Sequence, residues 1–434
     1  MNPYLELLRR NRNYRLLFFG QTVSQLGDWF NTVAVYALIL DLTRSATAVA
    51  WMMIVQFLPF ALVGPMAGVV VDRVNRRTLM IAADVIRGAV VLGFLLVRRP
   101  EQVWIAYAVM AVAVAASAFF EPARTATIPN ITTADELLPA NALSSAFWSA
   151  MLAVGAAAGG LVTAVVGKDA AFVLNSASFF ASAVCIARTR YNGAAPAGTP
   201  PQGVLALAGW TDLVEGFAYV RRHPHVAALI FVKFGWGIAG GVLLLLTIFG
   251  QRVFPVGGST AAGIGVLYAA RGVGAGLGPI LLRWMLGQTP EALRRAIGPA
   301  YFMVGAFYVG LAFAPTLPVA ALAVLGAHFG GAVLWVFSTV LLQLEVPDRL
   351  RGRVFAAELA LVTLSSSISS YWTGDELDRA GWSPRTLSFV LGVLFMVPGG
   401  AWLLMRSRWP APPAEPIPAA AISGDEEILE GRIG

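Results

Sequence analysis

Long apolar runs alternate with short polar connections along this chain, and that alternation is its dominant signal. A helix that crosses a bilayer needs about 20 mostly apolar residues. Twelve runs meet that length, at about 16–40, 46–71, 78–97, 102–120, 141–166, 170–188, 226–249, 259–282, 296–314, 318–342, 354–373 and 384–405. Each predicts a helix, because a backbone N–H in lipid must find its partner inside its own segment. The fold class is therefore all-α, a polytopic membrane protein with twelve transmembrane helices. The first run is too long for a cleaved leader and is expected to stay as span 1.

The longest connection divides the spans six plus six. It predicts an N-terminal six-helix bundle over 1–190, a linker over 191–225, a C-terminal six-helix bundle over 226–406 and a tail over 407–434. The linker opens on a Gly/Pro-rich stretch, Asn192 to Gly203, of flexible character. Trp210, Leu213, Val214, Phe217 and Val220 then recur at helical spacing, with Asp212, Glu215, Arg221 and Arg222 off that stripe. A short amphipathic helix follows, lying on the membrane surface or packed on protein. The tail is Pro/Ala-rich, then acidic, and has the composition of a disordered segment.

Composition sharpens the picture. Hydrophobic residues make up 57% and charged residues 13% of 434, against about 25% charged in soluble domains. Mean hydropathy is +0.70. A soluble enzyme, a disordered protein and a nucleic-acid partner are all disfavoured. The net charge of +7 comes from 31 Lys/Arg against 24 Asp/Glu. With the N-terminus placed in the cytoplasm, 21 of the Lys/Arg fall on that side and 7 on the other, and Arg87, Lys233 and Arg271 fall inside spans. Excess Lys/Arg marks the cytoplasmic side, so the charge expresses topology: a multi-pass membrane protein with both termini cytoplasmic. Cys185 is the single cysteine, and there are three histidines. That leaves no disulfide and little for a metal site, and no cofactor is expected. No Walker loop, His-Glu-x-x-His or Gly-x-Ser-x-Gly occurs, which disfavours ATP drive and an integral-membrane enzyme.

Between spans 2 and 3 the chain runs Gly68-Val-Val-Val-Asp72-Arg73-Val-Asn75-Arg76-Arg77. This resembles the signature loop of the major facilitator superfamily, Gly-x-x-x-Asp-Arg-x-Gly-Arg-Arg, at Gly68, Asp72, Arg73, Arg76 and Arg77. Asn75 stands where the family usually has Gly, and both tolerate a left-handed turn. The resemblance implies two pseudo-symmetric bundles with spans 2, 5, 8 and 11 forming the seam between them. It also implies that spans 2 and 11 approach on the cytoplasmic side. Asp72 would then cap the N-terminus of span 11, whose free N–H groups and partial positive charge suit a carboxylate.

Further strings narrow the branch. Glu121-Pro122-Ala123-Arg124, Ile128-Pro129 and Ala140-Asn141-Ala142-Leu143 lie in the expected loop between spans 4 and 5. Val346-Pro347-Asp348-Arg349 occupies the counterpart place in the second half, a weak internal repeat. Together they are similar to the efflux branch that holds macrolide exporters and the enterobactin exporter, and to lysophospholipid transporters. Gly155-Ala156-Ala157-Ala158-Gly159-Gly160 in span 5 is similar to the exporters' Gly-Pro-x-x-Gly-Gly motif, with Ala156 in place of Pro. Small residues let helices approach, so Gly155, Gly159, Gly160, Gly274 and Gly278 are expected at the seam. The Gly237/Gly241 and Gly326/Gly330 spacings are expected to pack within a half.

A charge inside hydrocarbon costs several kcal/mol and is a functional candidate by default. Asp28 sits near mid-membrane in span 1, either as a proton carrier or held by Gln21, Ser24 or Asn31. Asp84 and Arg87 in span 3, and Glu121 and Arg124 at the end of span 4, are spaced to pair. Lys233 in span 7 is open to an acid across the cavity, to an anionic substrate group or to snorkelling. Arg271 in span 8 and Glu358 in span 11 complete the set, and His328 is expected to be a satisfied packing residue. The expected function is secondary active export of amphipathic, drug- or macrolide-like molecules by alternating access, as a proton antiporter and a monomer among membrane lipids. The alternative is a lysophospholipid transporter or an exporter of a siderophore-like metabolite.

Overall fold

A computed structural model describes residues 3–71, 73–191, 210–257, 259–286 and 289–406. Asp72, the Asn192–Gly203 stretch and the tail from 407 lie outside them. The spans are Arg12–Thr43, Ala46–Val71, Arg76–Val91 continued by a tighter turn Leu92–Leu96, Val103–Ile131, Ala134–Val165, Lys168–Ala187, Pro224–Ile238 continued by Val242–Ile248, Thr260–Leu286, Pro290–Ala312, Leu317–Glu345, Asp348–Asp378 and Pro384–Arg406. A short helix Pro3–Arg10 precedes span 1, and the linker holds a helix Trp210–Arg222. Among the described residues, nine spans are long and apolar enough to cross a membrane on length and composition alone. Spans 1, 5 and 9 are not among them. Span 1 buries Gln21, Ser24 and Asn31, span 9 opens on Glu291, Arg294 and Arg295, and span 5 has a shorter apolar stretch at Ala150–Val165.

Three sequence expectations are corrected. The loop between spans 4 and 5 shrinks to Thr132 and Thr133, because span 4 runs on through Pro122 and Pro129. Proline removes a helical hydrogen bond, but neighbours can satisfy the freed groups. Glu121 and Arg124 therefore lie inside a helix, which Arg76 Nη1 braces from span 3 by donating to Ala126 O at 3.0 Å. Second, Asn75 makes no left-handed turn. At φ −57° it is the N-cap of span 3 and accepts from Thr78 N at 3.1 Å. Third, span 7 breaks at Ala239–Gly241, where Gly237, Gly240 and Gly241 press on Ser365, Ser366 and Thr373 of span 11. The linker helix packs on protein: Glu215 pairs with Arg353 at the start of span 11 and Val220 is buried.

The halves meet along two helix pairs, span 5 with span 8 and span 2 with span 11. Gly160 faces Gly265 so closely that a Cβ on Gly160 would stand 2.7 Å from Gly265 Cα. Gly272 presses on Ala153 in the same seam. The other expected seam glycines face elsewhere. Gly155 and Gly159 seat Trp29 of span 1, and Gly274 and Gly278 seat Leu325 and Phe329 of span 10. The i, i+4 spacing marks one shared face, and in both spans that face packs within a half.

Spans 1, 3, 5, 7, 9 and 11 begin at the arginine-rich face. At the opposite face the halves are tied together. Asp378, at the end of span 11, accepts from Ser45 Oγ at 2.7 Å, Ala46 N at 3.0 Å and Thr47 N at 2.8 Å. It thus caps the N-terminus of span 2, two of whose free N–H groups need an acceptor. Gln251 Nε2 donates to Asp41 at 3.0 Å, and Arg252 Nη2 donates to Arg44 O at 2.8 Å. Arg44 sits at φ 53°, a left-handed position that turns its carbonyl toward span 7. Trp51 and Tyr371 meet edge to face at 5.6 Å. This end of the seam is closed.

Candidate functional site

Span 1 turns a polar stripe inward. Gln21, Ser24, Asp28 and Asn31 recur at intervals of three or four residues, and all but Asp28 are buried. Asp28 enters this stripe beside Gly27, where a side chain would collide with Ser178 and come 2.6 Å from Asn175 Oδ1 of span 6. Glycine there lets span 6 close on span 1 next to the carboxylate.

Arg87 of span 3 reaches across to it. Its Nη2 donates to Asp28 Oδ2 at 2.7 Å and its Nη1 to Asp84 Oδ1 at 3.4 Å. The guanidinium carbon lies 3.9 Å from the centroid of Phe179 and 5.8 Å from that of Phe120. Arg87 and Asp84 are 7% and 0% exposed in their side chains, while Asp28 is 42% exposed. One arginine therefore holds an enclosed carboxylate and an accessible one. Asp84 Oδ2 is buried and has no hydrogen bond among the described residues. Asp28 does not rely on Gln21, Ser24 or Asn31. Glu121 and Arg124 pair at 3.0 Å nearby in span 4.

The second-half charges behave differently. Lys233 Nζ donates to Glu358 Oε2 at 2.7 Å and Thr339 Oγ1 at 2.8 Å, and lies 4.7 Å from the Trp335 ring centroid. Both side chains are 5% exposed. This corrects the expectations for Lys233: it neither snorkels nor faces an acid across the cavity, but clamps spans 7, 10 and 11 of its own half. His328 is buried and bonds Tyr308 Oη at 2.8 Å, a satisfied packing residue.

A roof of aromatic rings closes the centre. Tyr268 of span 8 sits 6.3 Å from Trp29 and 6.3 Å from Tyr36, both of span 1. Its hydroxyl donates to Leu243 O at 3.1 Å. Arg271, near the middle of span 8, lies one turn from Tyr268 and places its guanidinium carbon 5.6 Å from that ring.

The signature-loop arginines that are described knit the first half. Arg76 is buried on Ala126 O, and Arg77 donates to Ile186 O at 3.3 Å and to Ala187 O at the C-terminus of span 6. A cation there complements the free carbonyls and the helix dipole. Arg73 is exposed. Asp72 lies outside the described residues, so the expected cap on span 11 stays a proposal. Sequence reasoning missed Asp378, Tyr268 and the Asp28–Arg87 bond. Nothing in the sequence names the acid that meets the Ser45, Ala46 and Thr47 donors. Two clefts of about 580 and 610 Å³, one between spans 8, 9 and 10 and one around Arg12, Asn130 and Arg190, contain none of these charges.

Comparison with known proteins adds the family. The model of the Major Facilitator Superfamily matches residues 17–370. The chain is 28% identical to an uncharacterized MFS-type transporter of Bacillus subtilis, YfiS, over 91% of this chain and 93% of that one. It is 25% identical to the multidrug efflux pump Tap of Mycolicibacterium fortuitum, over 88% and 93%. It is 26% identical to macrolide efflux protein A of Streptococcus pyogenes over 52% and 56%. Among solved structures, a POT family transporter in complex with 5-aminolevulinic acid shares the fold at TM-score 0.71, 12% identity, and 92% and 96% coverage.

Proposed function

Since the chain belongs to the Major Facilitator Superfamily and is a membrane transporter, not an enzyme, we propose that it exports amphipathic small molecules from the cytoplasm in exchange for protons. The observation that carries the coupling is the Asp28–Arg87–Asp84 network. A carboxylate that is accessible at mid-membrane and bonded to an enclosed arginine can exist in two states. Ionised, it holds Arg87. Protonated, it loses most of the charge-assisted bond, and Arg87 is left to Asp84. The mid-span-4 arginine of many proton antiporters is missing here, and Arg87 supplies a cation from span 3. The efflux names among the relatives support the export direction.

In this reading the arginine-rich face is cytoplasmic, both termini lie there, and the membrane is the bacterial plasma membrane. The structure then has its outer end latched and its central path open to the cytoplasm, ready to load substrate. Proton entry at Asp28 from outside and substrate entry from inside alternate as one half rocks on the other. Each chain contains the whole seam and works as a monomer.

The test is uptake into everted vesicles from cells that express the protein, with a panel including erythromycin, ethidium, Hoechst 33342 and the carboxylate dansyl-phenylalanine. An imposed pH gradient, acid inside, should drive accumulation of at least one compound, and nigericin should abolish it. A panel that shows no gradient-dependent accumulation beyond empty vesicles overturns the assignment.

A further inference from the structure

Among the described residues, the charges away from the span ends are paired with one exception. Asp28 and Asp84 share Arg87, Glu121 holds Arg124, Lys233 holds Glu358 and Arg294 holds Glu345. Among the described residues Arg271 has no ion pair and no hydrogen bond; its one close partner is the face of Tyr268. The other groups within reach of its charge are Tyr36, Tyr308 and His328, which carry no negative charge between them.

Its position makes that solitude informative. Tyr268, one turn away on the same face, touches Trp29 and Tyr36 of the other half. Gly272, its neighbour in sequence, packs on span 5 across the seam. Arg271 therefore stands at the centre of the molecule, beneath the aromatic roof and half-exposed. About 15 Å of hydrocarbon lies on either side of mid-membrane, too far for its side chain to snorkel to either face. An arginine held at that depth without a counter-charge is costly unless something anionic reaches it. Asp28 cannot serve, because Arg87 already holds it at 2.7 Å.

We infer that Arg271 is the anion-recognition residue of the transport site, and that the substrate carries a carboxylate on an apolar or aromatic body. The planar guanidinium fits a carboxylate with two parallel bonds. Trp29, partly exposed beside the Tyr268 ring, offers the apolar part a surface. This inference rests on the transporter reading and names the substrate class for it. It moves the anionic contact from Lys233, which is closed off by Glu358, to span 8, a seam helix that moves when the halves rock. Substrate charge would then be sensed where the halves meet.

A matched pair of probes tests it: dansyl-phenylalanine, with a carboxylate, and dansyl-phenylalaninamide, without one. Fluorescence titration of the purified protein gives both dissociation constants. Wild type should bind the acid about tenfold or more tightly than the amide, the scale of a charge-assisted bond. Arg271→Gln should bring the acid down to the affinity of the amide and leave the amide unchanged, while Arg271→Lys should keep part of the preference. Equal affinities in wild type, or no binding of either probe, overturn the inference. So does a monodisperse Arg271→Gln that keeps the preference. If Arg271→Gln does not fold, Arg271→Lys decides, and an unaltered preference overturns the inference. Gradient-driven uptake in vesicles judges the transporter reading by itself, and it can persist when this discrimination fails.

Discussion

Arg87 is the residue whose removal should be felt most. Breaking a buried pair by deleting one partner leaves an uncompensated charge and costs about 3–5 kcal/mol. Asp84, at 0% exposure, would be the stranded group. Arg87→Gln is therefore expected to destabilise the first half by roughly that amount, read as a drop in the thermal midpoint of purified protein. Adding Asp84→Asn should recover a large part, because the double variant strands no enclosed charge, only the accessible Asp28. Losses that simply add in the double variant would show that Arg87 and Asp84 are not coupled. The candidate charges were legible one by one in the sequence, since each interrupts an apolar run. Their partners were not. Arg87 is 59 residues from Asp28, and Lys233 is 125 from Glu358. Periodicity speaks only about neighbours on one helix, which is why Asp84 with Arg87 was foreseen and Asp28 with Arg87 was not.

At the scale of elements, spans 2 and 11 carry a reciprocal arrangement. Asp378 ends span 11 and caps the start of span 2 at the face opposite the arginine-rich one. Asp72 follows span 2 and is proposed to cap the start of span 11 at the cytoplasmic face. Each helix would lend its terminal acid to the other, and only one cap need form in each state. A single cap is worth about 0.5–2 kcal/mol, enough to tilt two states of similar energy. Asp378→Ala is expected to shift the protein toward the outward-open state by several-fold. Spin labels at Arg99 and Arg379, on a Cys185→Ser background, should show a growing population at longer distance. An unchanged distance distribution would remove the latch from the account. The spans themselves were legible, because twelve apolar runs of membrane length admit little else. Their ends were less so. Hydropathy stops span 4 near residue 120, yet the helix runs to Ile131, where contacts such as Arg76 on Ala126 O hold its polar end against span 3. The glycine spacings predicted close approach correctly but named the wrong neighbour for Gly155, Gly159, Gly274 and Gly278. A spacing specifies a face and carries no information about which helix the face meets.

For the whole molecule, the two halves divide the labour. The first places a carboxylate and an arginine where a proton can change their bond. The second holds its own charges closed, with Lys233 clamped to Glu358, and offers Arg271 at the seam. Lys233→Met is accordingly expected to lower stability by about 3 kcal/mol through stranded Glu358, measured by thermal unfolding in detergent. The effect on substrate affinity should be small beside that of Arg271→Gln. The central claim is that Asp28 links proton movement to substrate movement. It is tested most directly by reconstituting wild type and Asp28→Asn in liposomes with a compound that the vesicle panel selects. Exchange of labelled for unlabelled compound without a gradient should persist in Asp28→Asn. Accumulation driven by a pH gradient should be lost in Asp28→Asn and present in wild type. Gradient-driven accumulation by Asp28→Asn at the wild-type level would contradict the account.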